Sequence, residues 1–168
     1  MKFKAKEIAS LMRYYHTLEP LYDEYAKILI LGSFPSPKSR EEGFYYANKS
    51  NRFWRIMSRV TGDGAFTGSV EEKKMACLRH GIALWDVVES CEISGASDSS
   101  IKEVKLNDFG KIFSVTGKIK VFTTGKTAYK LYSVSGESMY LPSTSSAYPV
   151  SEDFLAEKYA AILPYIIP

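Results

Sequence analysis

The chain predicts a three-layer α/β/α fold around a central, mostly parallel four-stranded sheet. Apolar runs of strand length alternate with segments of helical spacing, the order that builds such layers. The clearest runs are continuous rather than alternating, as strands buried on both faces are. The 168 residues are 45% hydrophobic, enough for one domain whose core needs neither a disulfide nor a metal to hold it.

The elements follow in order. Residues 1–20 read as an added N-terminal helix, an extension ahead of a single domain over 21–168, with His16 exposed on it. Lys27-Ile28-Leu29-Ile30-Leu31 is the first buried strand, closed by Gly32. Ser33 to Ser39 is rich in Pro and Ser and reads as a loop. Asn51 is placed to cap a helix carrying Phe53, Trp54, Met57 and Val60, which ends near Gly62. Ser69 and Glu72 have capping-box spacing and open a helix that closes before Gly81. Ile82-Ala83-Leu84-Trp85 is the second strand, with Asp86 at its carboxyl end. Glu92 to Ser100 reads as a loop, and Asn107 as the cap of a short helix. Ile119 to Phe122 is the third strand, followed by a helix over Lys126 to Ser133. Met139-Tyr140-Leu141 is the fourth strand, and Glu152 to Ile162 the last helix.

Composition excludes several function classes. Charged residues are 24% and aromatics 14%, which rules out disorder and collagen-like repetition. No apolar run reaches membrane-spanning length, and Met1-Lys2-Phe3-Lys4 followed by Glu7 is not a secretory signal. A soluble, cytoplasmic monomer without membrane contact is therefore expected. The net charge of +3 permits a nucleic-acid partner without demanding one. Cys77 and Cys91, with only His16 and His80 beside them, are too few for an ordinary zinc site, so no metal and no cofactor is expected. Gly125-Lys126-Thr127 is not a phosphate loop, because the required upstream glycine position holds Lys120, inside a strand. Lys126 can still meet an anion. His80, beside Gly81 at a helix end, reads as structural.

Three polar features fall at carboxyl ends of strands, where open α/β sheets bind ligands. They are Gly32-Ser33-Phe34-Pro35-Ser36, Asp86, and Pro142-Ser143-Thr144-Ser145. The stretch Gly43-Phe44-Tyr45-Tyr46-Ala47-Asn48-Lys49-Ser50-Asn51-Arg52-Phe53-Trp54 is dense in aromatics. It is either a packed loop covering the sheet or a stacking platform for a flat ligand such as a nucleobase.

Taken together in this order and spacing, Leu31 to Ser36, Gly43 to Trp54, Gly81 to Asp86 and Leu141 to Ser145 resemble the uracil-DNA glycosylase superfamily. The run ending Asn-Arg-Phe-Trp is similar to the mismatch-specific uracil/thymine branch. With "ALWDVVESC", "SGASDSSI", "NDF" and "LPSTS" added, the pattern looks most like the hypoxanthine-DNA glycosylase-like branch. The resemblance covers about residues 20 to 167 and implies a uracil-DNA glycosylase-like fold. It also implies a repair enzyme that flips a deaminated base out of DNA, hypoxanthine first and uracil second, and hydrolyses its N-glycosidic bond.

The resemblance assigns roles residue by residue. Gly32 to Ser36 lies against the sugar and positions the water, with Ser33 and Phe34 in the catalytic turn and Ser36 toward the DNA. Tyr46 stacks on the extruded base, and Asp86 reads its edge, with Phe34 as a further wall. Pro142, Ser143, Thr144 and Ser145 hold phosphate, and Tyr148 lies near the space the nucleotide leaves. Two departures stand out: Phe34 occupies the position of the Asp or Asn that activates water in better-known branches, and Leu141 that of a His or Asn. The hypoxanthine-type branch uses an asparagine elsewhere in this region, for which Asn51 and Asn48 are both candidates. Asn51 is equally readable as a helix cap. No lysine nucleophile stands in the motifs, so hydrolysis without strand cleavage is expected. The rival reading is a catalytically silent DNA-binding protein of the same fold.

Overall fold

The computed structural model describes residues 12–93 and 101–168. The chain begins there with a short strand, β1 (Arg13–Tyr15), followed by β2 (Ile28–Gly32), α1 (Pro37–Glu42), α2 (Phe53–Thr61), a 3-10 turn (Gly64–Thr67) and α3 (Val70–Arg79). Then come β3 (Ile82–Asp86), β4 (Val88–Glu92), β5 (Lys102–Leu106), α4 (Gly110–Thr116), β6 (Lys120–Thr124), α5 (Lys126–Tyr132), β7 (Met139–Leu141), α6 (Glu152–Tyr159) and a final 3-10 turn (Ala160–Tyr165).

The predicted α/β class is the observed one. The central sheet has four strands in the order β3-β2-β6-β7, and every neighbouring pair is parallel. Every residue of β2 and β3 is buried, which is why those segments read as unbroken apolar runs rather than alternating ones. From β2 the chain crosses to β3 on one side, whereas β6 and β7 lie on the other. The crevice above β2 is thus a topological switch point, the place where such sheets bind ligands.

Local chemistry fixes the helix ends. The capping box of α3 is present in full, with Ser69 Oγ accepting from the Glu72 N–H and Glu72 Oε1 accepting from the Ser69 N–H. The cap position of α2 is Arg52, whose side chain makes no capping bond. Asn51, expected there, stands one residue earlier and closes the turn into the helix, its Oδ1 accepting from the N–H of Phe53. Phe53, Trp54, Ile56 and Met57 of that helix are buried, and Phe53 meets Tyr159 of α6 edge-on, with ring centroids 6.5 Å apart.

Several expectations are corrected. The described part of the N-terminal extension carries a strand rather than a helix: Arg13, Tyr14 and Tyr15 pair antiparallel with Glu92, Cys91 and Ser90. His16, expected at the surface, has a side chain only 2% exposed. A second, three-stranded antiparallel sheet, β1-β4-β5, was not expected, and Glu92 belongs to it instead of opening a loop. β1 and β5 are largely exposed, and β5 is charged (Lys102-Glu103-Val104-Lys105-Leu106). β4, though mostly buried, carries Glu89, Ser90 and Glu92 among its five residues, so none shows the apolar run that marks the central strands. The Ser33–Ser39 loop ends early, because Ser36 caps α1 and Pro37 starts it. Asn107 caps nothing; its amide donates to the Asp86 carbonyl at 2.9 Å, and α4 starts after Phe109. The "SGASDSSI" motif, residues 94–101, lies outside the described residues except for Ile101.

Candidate active site

The carboxyl ends of the parallel strands open into one cleft of about 730 Å³, within the range of about 300–1,000 Å³ typical of ligand sites. The structure brings nearly all of the predicted site residues to it: Ser33, Phe34 and Ser36 after β2, Asp86 after β3, Tyr46, Asn48 and Asn51 from the aromatic segment, and Ser143, Thr144, Ser145 and Tyr148 after β7. Pro142 is not on its wall. It is buried beneath, where its carbonyl accepts a 2.7 Å hydrogen bond from the Tyr159 hydroxyl.

Tyr46 forms one wall. Its ring stacks on Phe53 at 3.8 Å between centroids, 16° from parallel, and its hydroxyl lies 3.5 Å from Thr124 Oγ1, at the limit of hydrogen-bond reach. Its φ of +52° is left-handed, a conformation unfavourable to a side-chain-bearing residue and found preferentially at functional sites. Its neighbour Tyr45 is buried instead, its hydroxyl donating to the Glu19 carbonyl at 2.7 Å. Burial, reinforced by Asp86, pushes the Tyr45 phenol far above the ordinary tyrosine range. One tyrosine of the pair is thus core and the other is platform.

Asp86 is buried at the end of β3, with its Oδ2 2.7 Å from His16 Nε2. Gly32 makes room for it: a Cβ there would lie 2.5 Å from Asp86 Oδ1 and 3.4 Å from the Tyr46 hydroxyl oxygen. Any residue but glycine would push the carboxylate off the cleft floor. The Asp86 backbone is also held, its carbonyl by Asn107.

The two candidate asparagines differ in their surroundings. Asn48 is exposed, and its Oδ1 accepts from the N–H and hydroxyl of Ser50, a local turn. Asn51 Oδ1 accepts from both the Phe53 N–H (2.9 Å) and the Thr144 hydroxyl (2.8 Å), which ties the aromatic segment to the loop after β7. That loop is ordered by its own hydroxyls: Ser143 Oγ accepts from the Ser145 N–H and Ser145 Oγ from the Ala147 N–H, each at 3.2 Å. Both hydroxyls keep an O–H to donate.

Sequence reasoning missed four contributors. Arg52 grips the loop through four backbone carbonyls, those of Thr144, Ser145, Tyr148 and Val150. Arg40 lines the cleft with its guanidinium 4.6 Å from the centroid of Tyr14 and 5.5 Å from that of Phe34; its Nε is buried without a hydrogen-bond partner among the described residues. Thr124 lies at the end of β6, and His16 behind Asp86. Arg52 stood inside the Asn-Arg-Phe-Trp run and could have been singled out there. His16 and Arg40 carried no local signal. His80 is structural, bridging Asp63 Oδ2 at 2.9 Å and the Ile167 carbonyl at 2.8 Å. Among the described residues no cluster of three or more His, Cys, Asp or Glu side chains could hold a metal ion, and no helix is long and apolar enough to cross a membrane.

An aromatic-walled, hydroxyl-rimmed cleft at the carboxyl edge of a parallel sheet suits a nucleobase and the phosphates flanking it. Comparison with known proteins places the chain in a class, the DNA N-glycosylases, which are hydrolases acting on DNA. The family model for the uracil DNA glycosylase superfamily matches residues 19–166, and the chain belongs to that superfamily. A hypoxanthine DNA glycosylase of Methanosarcina acetivorans is 34% identical over 131 residues, covering 74% of this chain and 82% of the relative. One from Methanosarcina barkeri is 31% identical over 102 residues, covering 61% of this chain and 65% of its own length. A solution NMR structure from Methanosarcina acetivorans, provisionally named a uracil DNA glycosylase, superposes with a TM-score of 0.73. It is 28% identical, and the match covers 90% of this chain and 99% of that one.

Proposed function

We propose that the protein takes a deaminated base flipped out of DNA, hypoxanthine first and uracil second, and hydrolyses its N-glycosidic bond. The observation that carries this reading is the Asp86 carboxylate, buried on the cleft floor beside Tyr46. An ionised carboxylate only accepts hydrogen bonds. It suits the N1–H of hypoxanthine or the N3–H of uracil, and it opposes the bare N1 lone pair of adenine. The two Methanosarcina relatives named hypoxanthine DNA glycosylase support the order of preference.

In this reading the base stacks on Tyr46, while the hydroxyls of Ser143 and Ser145 and the N–H of Thr144, with Tyr148 beside them, meet the flanking phosphates. The bond from C1′ to the base nitrogen breaks and its electron pair leaves with the base. Water adds to the oxocarbenium-like sugar, and the proton it loses passes through solvent to the departed base anion, giving a neutral base and an abasic sugar. Phosphates held at the loop stabilise that cation through space. Phe34 offers no polar group, so the water is oriented by Asn51, whose Oδ1 is fixed by Phe53 and Thr144 and whose Nδ2 remains to donate. Ser33 and Ser36 border the same turn. The protein acts as a monomer and needs no cofactor, and no lysine attacks the sugar.

The test is single-turnover excision from duplexes carrying deoxyinosine, deoxyuridine or deoxyadenosine at one position, with alkali revealing abasic sites. Deoxyinosine is expected to be cleaved fastest and deoxyadenosine not at all. Asn51→Ala is expected to lose about 100-fold or more, as removal of one positioned polar group typically does, and Asn48→Ala little. Strand scission without alkali would point instead to attack by Lys126, which lines the cleft. Cleavage of deoxyadenosine at the deoxyinosine rate would end the assignment of Asp86.

A further inference from the structure

We propose that His16 is a positioning residue for base excision, its imidazole fixing the Asp86 carboxylate and drawing charge from it as the base departs. This rests on the reading of Asp86 as the group that faces the base edge. The residue comes from the N-terminal segment, outside the motifs that define the cleft. Its placement is over-determined. β1 is zipped to β4 through Tyr15 and Ser90, and the next N–H, that of His16 itself, donates to the Glu89 carbonyl at 2.6 Å. The ring is then enclosed by Phe34, Tyr45 and Trp85, with centroids 6.1, 6.4 and 6.3 Å away. Its side chain is 2% exposed, and Nε2 lies 2.7 Å from Asp86 Oδ2.

An ionised carboxylate accepts, so Nε2–H donates to Oδ2. That leaves Oδ1, the oxygen packed against Gly32, to meet the base. A buried polar group with no hydrogen bond is costly, and a carboxylate without its Nε2–H partner would rotate in search of one. There is also a charge argument. The departing base gains negative charge as the glycosidic bond breaks, and a bare carboxylate facing it would oppose departure. A hydrogen bond from behind spreads the carboxylate's charge away from the base. The contribution therefore falls on the bond-breaking step rather than on DNA binding.

The full chain is assayed for single-turnover excision from a deoxyinosine duplex and for affinity toward the same duplex carrying a non-hydrolysable tetrahydrofuran abasic analogue. His16→Phe fills the ring slot without the N–H, and His16→Gln restores a donor at comparable reach. The Phe variant is expected to lose about 10- to 100-fold in excision rate, the size of one lost hydrogen bond to a charged group, with affinity for the analogue unchanged. His16→Gln is expected to recover most of that loss. In an Asp86→Asn background His16→Phe should cost nothing further, because the partner is gone.

Wild-type excision by His16→Phe, or equal losses in the Phe and Gln variants, would overturn the proposal while leaving the hydrolase reading intact. His16→Leu is the second donorless variant; if neither folds in thermal melting, the imidazole is structural and the proposal fails. A wild-type protein inert on both deoxyinosine and deoxyuridine would sink the functional reading and this inference with it. An active wild type with a fully active Asp86→Asn variant would sink this inference and the role given to Asp86 at the base edge, while the hydrolase activity itself would stand.

Discussion

Replacing Arg52 by alanine tests whether the loop after β7 is held in shape from across the cleft. The Arg52 side chain donates to the carbonyls of Thr144, Ser145, Tyr148 and Val150, and its backbone N–H donates to the Thr144 carbonyl at 3.0 Å. A hydrogen bond to a charged group is worth about 1.5–3 kcal/mol. The four cannot be summed, because Ser146 and Ala147 are exposed and water can reach part of the released loop. The expected loss is about 2–4 kcal/mol, in the range where a broken buried network falls. For a chain of this length that lowers Tm by about 5–15 °C. Excision from a deoxyinosine duplex should fall by about 100-fold, since small displacements of positioning groups cost that much. Arg52→Lys should recover little, because one ammonium cannot span carbonyls that a planar fork reaches on several sides. Thermal melting and single-turnover rates are read on the same samples. An unchanged melting temperature with an unchanged rate would refute the idea that this arginine organises the loop.

Tyr46→Ala removes the stacking wall and is expected to cut excision by about 10- to 100-fold, from about 1–3 kcal/mol of base stacking, whereas Tyr46→Phe should stay near wild type; equal losses in the two, measured in single turnover, would put the effect on the hydroxyl instead. At the opposite end of the molecule, Asp63 accepts from Arg79, from the Ala65 N–H and from His80, which together hold its carboxyl far below the usual range. A depressed carboxyl stabilises the fold above its unfolded value near about 4 and loses that contribution as the pH falls toward the folded value. Asp63→Asn should therefore lower Tm by a few degrees, about 1–2 kcal/mol at neutral pH. The difference should shrink steadily below about pH 4, as melting curves over that span would show.

The central strands were legible because burial on both faces leaves a direct mark, an unbroken apolar run ending in Gly32 or Asp86. Capping chemistry was equally plain in Ser69 and Glu72, where two side chains three residues apart satisfy each other's backbone. The second sheet left no such mark. Its outer strands, β1 and β5, are held by pairing with β4 rather than by their own hydrophobicity, and β1 finds its partner about 77 residues away in sequence, as Arg13 and Ser90 do. The same holds for the site. Residues within the cleft motifs could be named from their order, but His16 meets Asp86 from 70 residues away, and Arg40 reaches the cleft over the faces of Tyr14 and Phe34. Nothing local distinguishes such a histidine from a surface one until the strand that carries it is paired.

The two departures from the better-known superfamily pattern now have a physical account. Phe34 is 8% exposed, with its ring against both His16 and the Arg40 guanidinium. It is packing that keeps two polar side chains in place, where other branches put the polar group itself. Leu141 is buried at the end of β7, and its carbonyl accepts from the Gly125 N–H at 2.7 Å, so it anchors the turn into α5. Polar chemistry has moved outward from these positions to a ring of groups anchored in pairs: Asn51 with Thr144, Asp86 with His16, Tyr46 near Thr124. In the mechanism proposed above a lone strong base is not needed, because a sugar that is cationic in the transition state is stabilised by fixed dipoles and held phosphates without a proton transfer to the protein. What such a site requires is rigidity. The paired anchors, together with the Arg52 grip on the loop, supply it from elements that are far apart in the chain.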